Sequence, residues 1–208
     1  MYILKFAESN KLFDALIKEK NVKKHLDALK KHHLETYKHS LRVGLLSIDL
    51  GLENKLVEYE IKLLGYSGLL HDIGKLKIPR KILSKPTTLN LKEIEIMKEH
   101  SRWGILETKD IRYREVGEIV AIHHEYNPYP YPRKGKGDRR RNMLYKNERR
   151  DNRDVILKLG QIVAIADIYD ALISKRVYKL SLPKEEVKKL LKNYFFGEEK
   201  YARQILER

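Results

Sequence analysis

Apolar residues recur along most of this chain at the spacing of amphipathic helices, and no convincing set of alternating strands accompanies them. Asn90 with Glu93 three residues later has the pattern of a capping box and predicts a further helix start. Ser181 and Pro183 open a final helical pair, which breaks near Gly197. The sequence therefore predicts an all-α domain, with longer helices over residues of about 10–31, 34–50, 54–72, 112–125 and 155–175.

The composition limits which residues can bind a metal and which kinds of partner are favoured. The chain has 208 residues and no cysteine, so disulfides and thiolate metal sites are excluded and a metal site must use His, Asp and Glu. A formal net charge of +15 favours anionic partners such as nucleotides, nucleic acid or acidic membrane surfaces. No apolar run is long enough for a bilayer span, and the start lacks a signal-peptide pattern, so we expect a cytoplasmic protein without stable membrane insertion.

Residues 127–154 differ from the rest of the chain because they hold the central prolines and almost no aliphatic side chains. From Arg133 to Asp154 there are ten Lys or Arg residues against four Asp or Glu residues. Long loops in compact domains are usually functional or disordered. Two interpretations stay open: a solvated charge run, or a basic lid over an anionic substrate that could also bind nucleic acid weakly.

Polar side chains occur where the helical pattern predicts a core. In "GLLHDIGK", His71 and Asp72 directly follow two leucines, and "GQIVAIADIYDALIS" carries Asp167 and Asp170 within an almost continuous apolar run. A buried carboxylate is too costly to keep ionised unless it is paired, hydrogen-bonded or bound to a metal. Each of these carboxylates therefore predicts a partner inside the fold.

Histidines extend this set. His123 and His124 end an apolar run, and His100 lies one turn after Met97. Singly, each residue could be an ordinary core or capping histidine, and a mid-helix Asp could pair with a lysine. Together, the residues at apolar or helix-end positions on five helices predict a site for hard or borderline divalent metals such as Fe, Mn, Ni or Mg. The set is His39, His71, Asp72, His100, His123, His124 and Asp167, whereas His25, His32 and His33 lie in lysine-rich sequence and are expected to be exposed.

Four segments carry a family resemblance: "ETYKHSLRV", "HDIGKLKIPRKILSKPTTLNLKEIEIMKEH", "AIHHE" and "AIADIYDALISKRVYK". In these segments the chain resembles the HD-GYP branch of the HD-domain metal-dependent phosphohydrolases, over about residues 34–190. The resemblance implies an all-α HD-domain helical bundle that encloses a polynuclear metal site. It divides the chain into an N-terminal helical extension, 1–33, and an HD-GYP-like domain, 34–208, with the basic loop at about 127–154.

The resemblance also implies a set of ligands that binds two or three divalent ions. Fe or Mn is favoured, and Ni, Mg and Zn stay open. Asp72 matches a ligand that bridges two metals, and Glu35 matches a glutamate that adds a third metal in some members. Glu35 precedes His39 by four residues, which puts both on one helical face. The implied ligands are Glu35, His39, His71, Asp72, His100, His123, His124 and Asp167.

The activity that the resemblance implies is hydrolysis of a phosphodiester in a cyclic dinucleotide, usually cyclic di-GMP. Paired metals would lower the pKa of a bridging water to give hydroxide. Asp72 and Lys75 are the expected catalytic residues, and a diguanylate cyclase-type or regulatory protein is a candidate partner. The matched substrate-contacting or site-adjacent positions are Lys75, Tyr131, Asp170, Arg176 and Lys179.

One segment departs from the family pattern. Where members carry an H-H-E-R-x-D-G-x-G-Y-P signature, this chain reads "HHEYNPYPYP", so that Pro130 replaces the glycine and only Tyr131 and Pro132 match the part after H-H-E. Substrate identity and partner binding therefore stay open. The alternatives are a phosphohydrolase for another nucleotide or nucleic acid, a module that binds metal and cyclic dinucleotide without turnover, and a nucleic-acid-binding protein that uses the basic loop.

Overall fold

The computed structural model describes residues 2–131, 150–174 and 182–207, and these residues are helical or irregular with no strand. The predicted all-α fold is confirmed. Most of the basic stretch, together with Arg176 and Lys179, lies outside the described residues. The helices are α1 (Tyr2–Lys18), α2 (Lys20–His32), α3 (Leu34–Glu53), α4 (Glu58–Leu70), a 3₁₀ helix (Ile73–Lys77), α5 (Arg80–Leu83), α6 (Leu91–Lys98), α7 (His100–Glu107), α8 (Arg114–Ile122), α9 (Arg150–Ile173), α10 (Lys184–Tyr194) and α11 (Glu199–Leu206).

The centre of the fold is formed by α3, α4, α8 and α9. Helix α4 packs against α3 and α8, and α9 packs against α3, α4 and α8. The backbones of α3 and α4 approach closely, since a Cβ atom at Gly68 would lie 2.9 Å from the Cα of Gly44. This close packing brings one end of each central helix to the same place in the core. Within the described part of the chain, none of the helices combines the length and apolarity that a bilayer crossing requires.

A short 3₁₀ helix continues directly from α4 and packs on the start of α7. A Cβ atom at Gly74 would lie 2.7 Å from the backbone nitrogen of Gly104, so only glycine permits this approach. Helix α6, which precedes α7, has Asn90 as its N-cap. The Asn90 side chain accepts a hydrogen bond from the backbone N–H of Glu93, and the Glu93 carboxylate accepts one from the backbone N–H of Asn90. The predicted capping box is confirmed, and it fixes the path of the chain towards His100.

The prediction of a single helix over 10–31 is wrong, because the chain breaks between α1 and α2 at Glu19. This residue has extended backbone angles, φ −62° and ψ 134°. Its carboxylate accepts a hydrogen bond of 2.6 Å from the Tyr66 hydroxyl. The break depends on a residue that is distant in sequence, so the local pattern of good helix formers does not indicate it.

The expected exposure of the N-terminal histidines is also wrong. His25 is buried on the inner face of α2 with Val22, Leu26 and Leu29. Its Nε2 lies 2.6 Å from Asp110 Oδ1. The reason is the helical spacing of these four positions, which overrides the lysine-rich surroundings.

The other two histidines of this region are half-buried. His32 Nε2 lies 2.9 Å from the carbonyl oxygen of Ile78. His33 caps α3 and accepts from the backbone N–H of Thr36. Both therefore have structural partners, which the charged sequence around them does not indicate.

The first two helices share the hydrophobic core of the rest of the chain. Leu16 of α1 and Leu29 of α2 belong to the same buried cluster as Ile162 of α9 and Ile205 of α11. The division of the chain between residues 33 and 34 stays a prediction.

Candidate metal centre

The polar residues that the sequence places in apolar surroundings come together at the end of the central helices. His39 lies on α3, and His71 and Asp72 occupy the junction between α4 and the 3₁₀ helix. His100 is the first residue of α7, and Asp167 lies on α9. His123 and His124 directly follow α8. Three overlapping groups have ligand atoms within 4.8 Å of one another: His100, His123 and His124; His39, His71 and Asp72; and His71, His123 and Asp167.

The Asp72 carboxylate lies between two of these groups. Its Oδ2 is 3.4 Å from His71 Nε2 and 3.8 Å from His39 Nε2. Its other oxygen, Oδ1, is 3.4 Å from His100 Nε2. A side chain that offers one oxygen to each group has the position required of a ligand shared by two cations.

Three histidines share one tautomer, because a backbone carbonyl can only accept a hydrogen bond. His71 Nδ1 lies 2.9 Å from the oxygen of Gly68, and His100 Nδ1 lies 2.7 Å from that of Met97. His123 Nδ1 lies 2.5 Å from the oxygen of Val120. The proton is therefore on Nδ1, and Nε2 carries a lone pair of the kind that can bind a metal ion.

These lone pairs face one another in the core. His100 Nε2 lies 3.4 Å from His123 Nε2 and 3.2 Å from His124 Nε2. Burial lowers the pKa of His100 to about 4 and that of His123 to about 3, and it also lowers the pKa of His124. The rings therefore stay neutral near pH 7, and opposed lone pairs at this separation fit a cation between them.

The Asn127 amide contacts the ring of His124 from the other side. Asn127 Nδ2 lies 3.0 Å from His124 Nδ1, while the buried Oδ1 has no hydrogen-bond partner. A rotation of the amide by half a turn brings Oδ1 to the ring, where it accepts from an Nδ1–H group. His124 then has the same tautomer as its neighbours, with Nε2 free for a cation.

The two carboxylates of the cluster are held ionised. Burial raises the pKa of Asp72, but the neighbouring Lys75 and His71 outweigh it and hold that pKa well below its usual range. Burial likewise raises the pKa of Asp167, and a hydrogen bond from His39 outweighs it. Neutral imidazoles and ionised carboxylates, with no thiolate, are a donor set that suits divalent cations.

His39 differs from the other histidines because both ring nitrogens face carboxylates. Its Nδ1 lies 2.6 Å from Asp170 Oδ2, and its Nε2 lies 2.9 Å from Asp167 Oδ1. Burial lowers the pKa of His39, but the two carboxylates outweigh it and raise that pKa to about 9. A cation that binds Nε2 must therefore displace a proton.

Asp170 orients His39 from behind, and Arg42 orients Asp170. The Arg42 guanidinium donates to both carboxylate oxygens, with Nε 2.6 Å from Oδ1 and Nη2 3.0 Å from Oδ2. Asp170 is 1% exposed, so its oxygens are committed to protein partners. This geometry supports a positioning role for Asp170, and its expected place among the substrate-contacting or site-adjacent residues stays a prediction. Sequence reasoning missed Arg42, because its pairing with Asp170 depends on how α3 packs on α9.

The cluster opens into a cavity of about 530 Å³. Lys75 and Tyr131 line it together with His39, Asp72, His100, His124 and Asp167. The Lys75 ammonium lies 2.6 Å from Asp72 Oδ2, and the Tyr131 ring stacks on His124 with centroids 4.3 Å apart. Two of the sequence-predicted substrate residues are thus at the cluster, while Arg176 and Lys179 lie outside the described residues.

Glu35 is the one predicted ligand in the described part of the chain that does not join the three groups. Its side chain is 54% exposed and its Oε1 lies 3.0 Å from Lys38 Nζ. It lines a second cavity, of about 450 Å³, which also contacts His39, Asp72 and Lys75. The third-metal role of Glu35 therefore stays a prediction.

Comparison with protein families agrees with this architecture. The family model described as the HD domain matches residues 36–172. The chain belongs to the HD domain family. The match begins in α3, ends in α9 and so includes each of the seven clustered residues, and the HD domain named from sequence motifs is confirmed.

Curated relatives of this HD domain chain carry phosphodiesterase names. The cyclic di-GMP phosphodiesterase of Thermotoga maritima is 37% identical over 157 residues, which cover 74% of this chain and 38% of the relative. The 3'3'-cGAMP-specific phosphodiesterase 2 of Vibrio cholerae is 34% identical over 169 residues, which cover 79% of this chain and 29% of the relative. The chain therefore spans well under half the length of these relatives.

Proposed function

We propose that this chain is a metal-dependent phosphodiesterase that hydrolyses a cyclic dinucleotide, with cyclic di-GMP as the first substrate to test. The observation that carries the proposal is the meeting of neutral Nε2 lone pairs and ionised carboxylates at the wall of an open cavity beside Lys75. The names of the two relatives support the substrate class. The net charge of +15 supports an anionic substrate.

The proposed site holds two or three divalent cations. Fe or Mn is favoured, and Ni, Mg and Zn are the alternatives, because imidazole and carboxylate ligands suit this range of metals. All five histidines would bind through Nε2, which becomes free in His39 on loss of a proton and in His124 on rotation of the Asn127 amide, and Asp72 would be shared. When bound, the cations supply Lewis acidity that neutralises phosphate charge and lowers the pKa of a coordinated water. The proposed ligands are the seven clustered residues, with Glu35 added where a third ion binds.

The remaining roles belong to side chains around the cluster. Lys75, whose side chain is 21% exposed at the cavity, would stabilise the negative charge that grows on the phosphate. Asp170 and Arg42 would keep His39 in its binding orientation. The Tyr131 ring would shield His124 from water on the face that it covers. Arg176 and Lys179 stay proposed phosphate contacts on the family pattern alone.

Partners and location beyond the substrate stay predictions. A diguanylate cyclase-type or regulatory protein partner and weak nucleic-acid binding through the basic loop rest on the family resemblance and on charge. The cytoplasmic location rests on the sequence pattern. The two-part division at residues 33 and 34 is proposed on the extent of the resemblance, since the family match starts at residue 36.

Product analysis tests the activity. The purified chain, loaded separately with Fe²⁺ and Mn²⁺, is incubated with cyclic di-GMP, with 3'3'-cGAMP and with a linear dinucleotide, and products are identified by chromatography. We expect hydrolysis of at least one cyclic dinucleotide. Asp72→Asn should abolish it, while Asp110→Asn, which alters a carboxylate paired with His25, should not. Absence of turnover with each cation contradicts the proposal, and tight substrate binding without turnover favours the binding module instead.

A further inference from the structure

Helix α10 presents two different apolar faces. Val187 and Leu191, four residues apart, are buried in the core. Leu190 and Tyr194, also four residues apart, line the cavity that opens on the metal cluster. Tyr194 is nevertheless 48% exposed, so half of its ring is not used for packing. Because of the helical spacing, one face of α10 packs in the core and another face lines the cavity.

The chain after α10 is fixed to the segment that follows the double histidine. The backbone N–H of Phe196 donates to the carbonyl oxygen of Tyr126 over 2.8 Å. The Phe195 ring is buried and lies 6.5 Å, between centroids, from the Tyr126 ring. The Tyr126 hydroxyl in turn donates to the oxygen of Leu157 on α9. These contacts hold Tyr194 in a defined place relative to His124.

A second tyrosine lines the same cavity. Tyr129 belongs to the "NPYPYP" segment, where this chain departs from the family signature, and it is 86% exposed. Prolines on both sides restrict its backbone. Ile168, Ala171 and Leu172 of α9 add apolar side chains to the lining of the same cavity. An exposed pair of aromatic rings in a cavity with an apolar wall has no evident role in packing.

The lining of the cavity combines two kinds of chemistry. Ionised carboxylates, imidazoles and Lys75 suit a phosphate with its cations, whereas Tyr129, Tyr194 and the aliphatic side chains suit a flat apolar group. A nucleotide combines these two properties, because it joins an anionic phosphate to a flat aromatic base. Aromatic side chains bind bases by stacking, which tolerates any base because each has a π face.

We propose that Tyr194 and Tyr129 form a nucleobase subsite of this cavity, in which a base of the substrate stacks while its phosphate lies at the cluster. The inference rests on the proposed function, because that function places the phosphate of the substrate at the cluster. Tyr194 on α10 lies beyond the residues that the family model matches, 36–172, whereas Tyr129 lies within them.

A pair of probes that differ only in the base tests the subsite. Guanosine 5'-monophosphate and ribose 5-phosphate are titrated by calorimetry into the full chain loaded with Mn²⁺. The wild type should bind the nucleotide about ten- to a hundredfold more tightly than the sugar phosphate, since stacking on an aromatic side chain is worth about that factor per base. The affinity for ribose 5-phosphate measures how strongly the chain binds a sugar phosphate that has no base.

Variants separate stacking from structure. Tyr194→Ala should bring the affinity ratio close to one without changing the ribose 5-phosphate affinity, Tyr129→Ala should lower the ratio in the same sense, and Tyr194→Phe should retain it. Phe196→Ala is the matched control, because Phe196 is 65% exposed and does not line the cavity. Circular dichroism verifies that each variant is folded.

The subsite is refuted by a wild-type ratio near one, by a ratio that Tyr194→Ala leaves unchanged, or by an equal loss in Phe196→Ala. Its failure is distinguishable from failure of the proposed function. A chain that hydrolyses cyclic dinucleotides with an unchanged ratio in Tyr194→Ala keeps the function and loses the subsite. A chain without turnover whose ratio falls in Tyr194→Ala loses the function and keeps the subsite.

Discussion

Buried histidines occur in two regions of this molecule, and the difference lies in what their ring nitrogens face. In α2, His25 is 4% exposed and pairs with one carboxylate, that of Asp110. This pair joins α2 to the segment that precedes α8. In the cluster, His71, His100 and His123 donate through Nδ1 to backbone carbonyls, and the Nε2 atoms of His100 and His123 lie 3.4 Å apart. The first arrangement is complete within the protein, whereas we propose that a cation completes the second.

Replacement of one histidine from each region separates these roles most strongly. His100→Gln should weaken metal affinity by more than about a hundredfold, because it removes a ligand, and it should abolish phosphodiesterase activity with it. His25→Gln should keep the metal and lower the free energy of unfolding by about 1–3 kcal/mol, since Asp110 keeps Lys24 but loses its buried partner. Elemental analysis and urea unfolding of both variants make the comparison. Equal metal loss in the two would remove the distinction.

Two lysines of the 3₁₀ helix extend the comparison to charge. Lys75→Met should lower kcat/KM by about ten- to a thousandfold with metal content intact, comparable to the loss of one charged donor. Lys77 is the control: its side chain is 57% exposed and pairs with Glu107, so Lys77→Met should have almost no effect. Steady-state kinetics with elemental analysis decides it. Near wild-type turnover in Lys75→Met would reject the catalytic role.

The residues behind His39 should have a smaller effect. Asp170→Asn removes the charge that orients His39, and loss of such a partner typically costs about ten- to a hundredfold in metal affinity. Ser174→Ala is the matched control, since the Ser174 hydroxyl donates to the same carboxylate over 3.1 Å and carries no charge. Competition with a chelator measures both affinities. Asp170→Asn with unchanged affinity would show that His39 is positioned by packing alone.

The pH dependence of stability has a defined sign in protein stripped by a chelator. Burial lowers the pKa of His100 to about 4 and that of His123 to about 3, so the unfolded chain takes up these protons first, near pH 6.5. Their contribution is therefore present above pH 6.5 and lost as pH falls towards 4. His39 has the opposite sign.

For His39, burial lowers the pKa but Asp167 and Asp170 outweigh it and raise it to about 9. Its contribution is full below pH 6.5 and lost as pH rises through 9. Urea unfolding of the stripped protein between pH 4.5 and 9.5 should therefore give a maximum of stability near pH 6.5–7. A stability that is constant across this range would contradict the assignment of neutral, buried rings.

The residues of the cluster could be predicted from the sequence, whereas the contacts that surround the cluster could not. His71 and Asp72 could be predicted because two leucines lead into them, and a polar pair in a core requires a reason. The pairing of Arg42 with Asp170 depends on how α3 packs on α9, and no local pattern reports that packing. The break at Glu19 depends in the same way on Tyr66.

His25 shows the converse error. Its spacing with Val22, Leu26 and Leu29 indicated the inner face of α2, but neighbouring lysines suggested the surface. Helical periodicity was the more reliable signal, because a lysine beside a core position on a helix points elsewhere. The wall formed by Tyr194 could not be predicted, since two apolar faces on one helix have the same sequence pattern as one wide face.

The metal content of the folded wild-type chain tests the central claim most directly. Protein stripped by a chelator is loaded anaerobically with Fe²⁺ or Mn²⁺, freed of excess metal and measured by elemental analysis, with Asp72→Ala prepared in parallel. We predict two or three equivalents in the wild type and loss of most of the metal in Asp72→Ala, because Asp72 offers one oxygen to each side of the cluster. A well-folded wild-type protein that never loads above one equivalent would contradict the account.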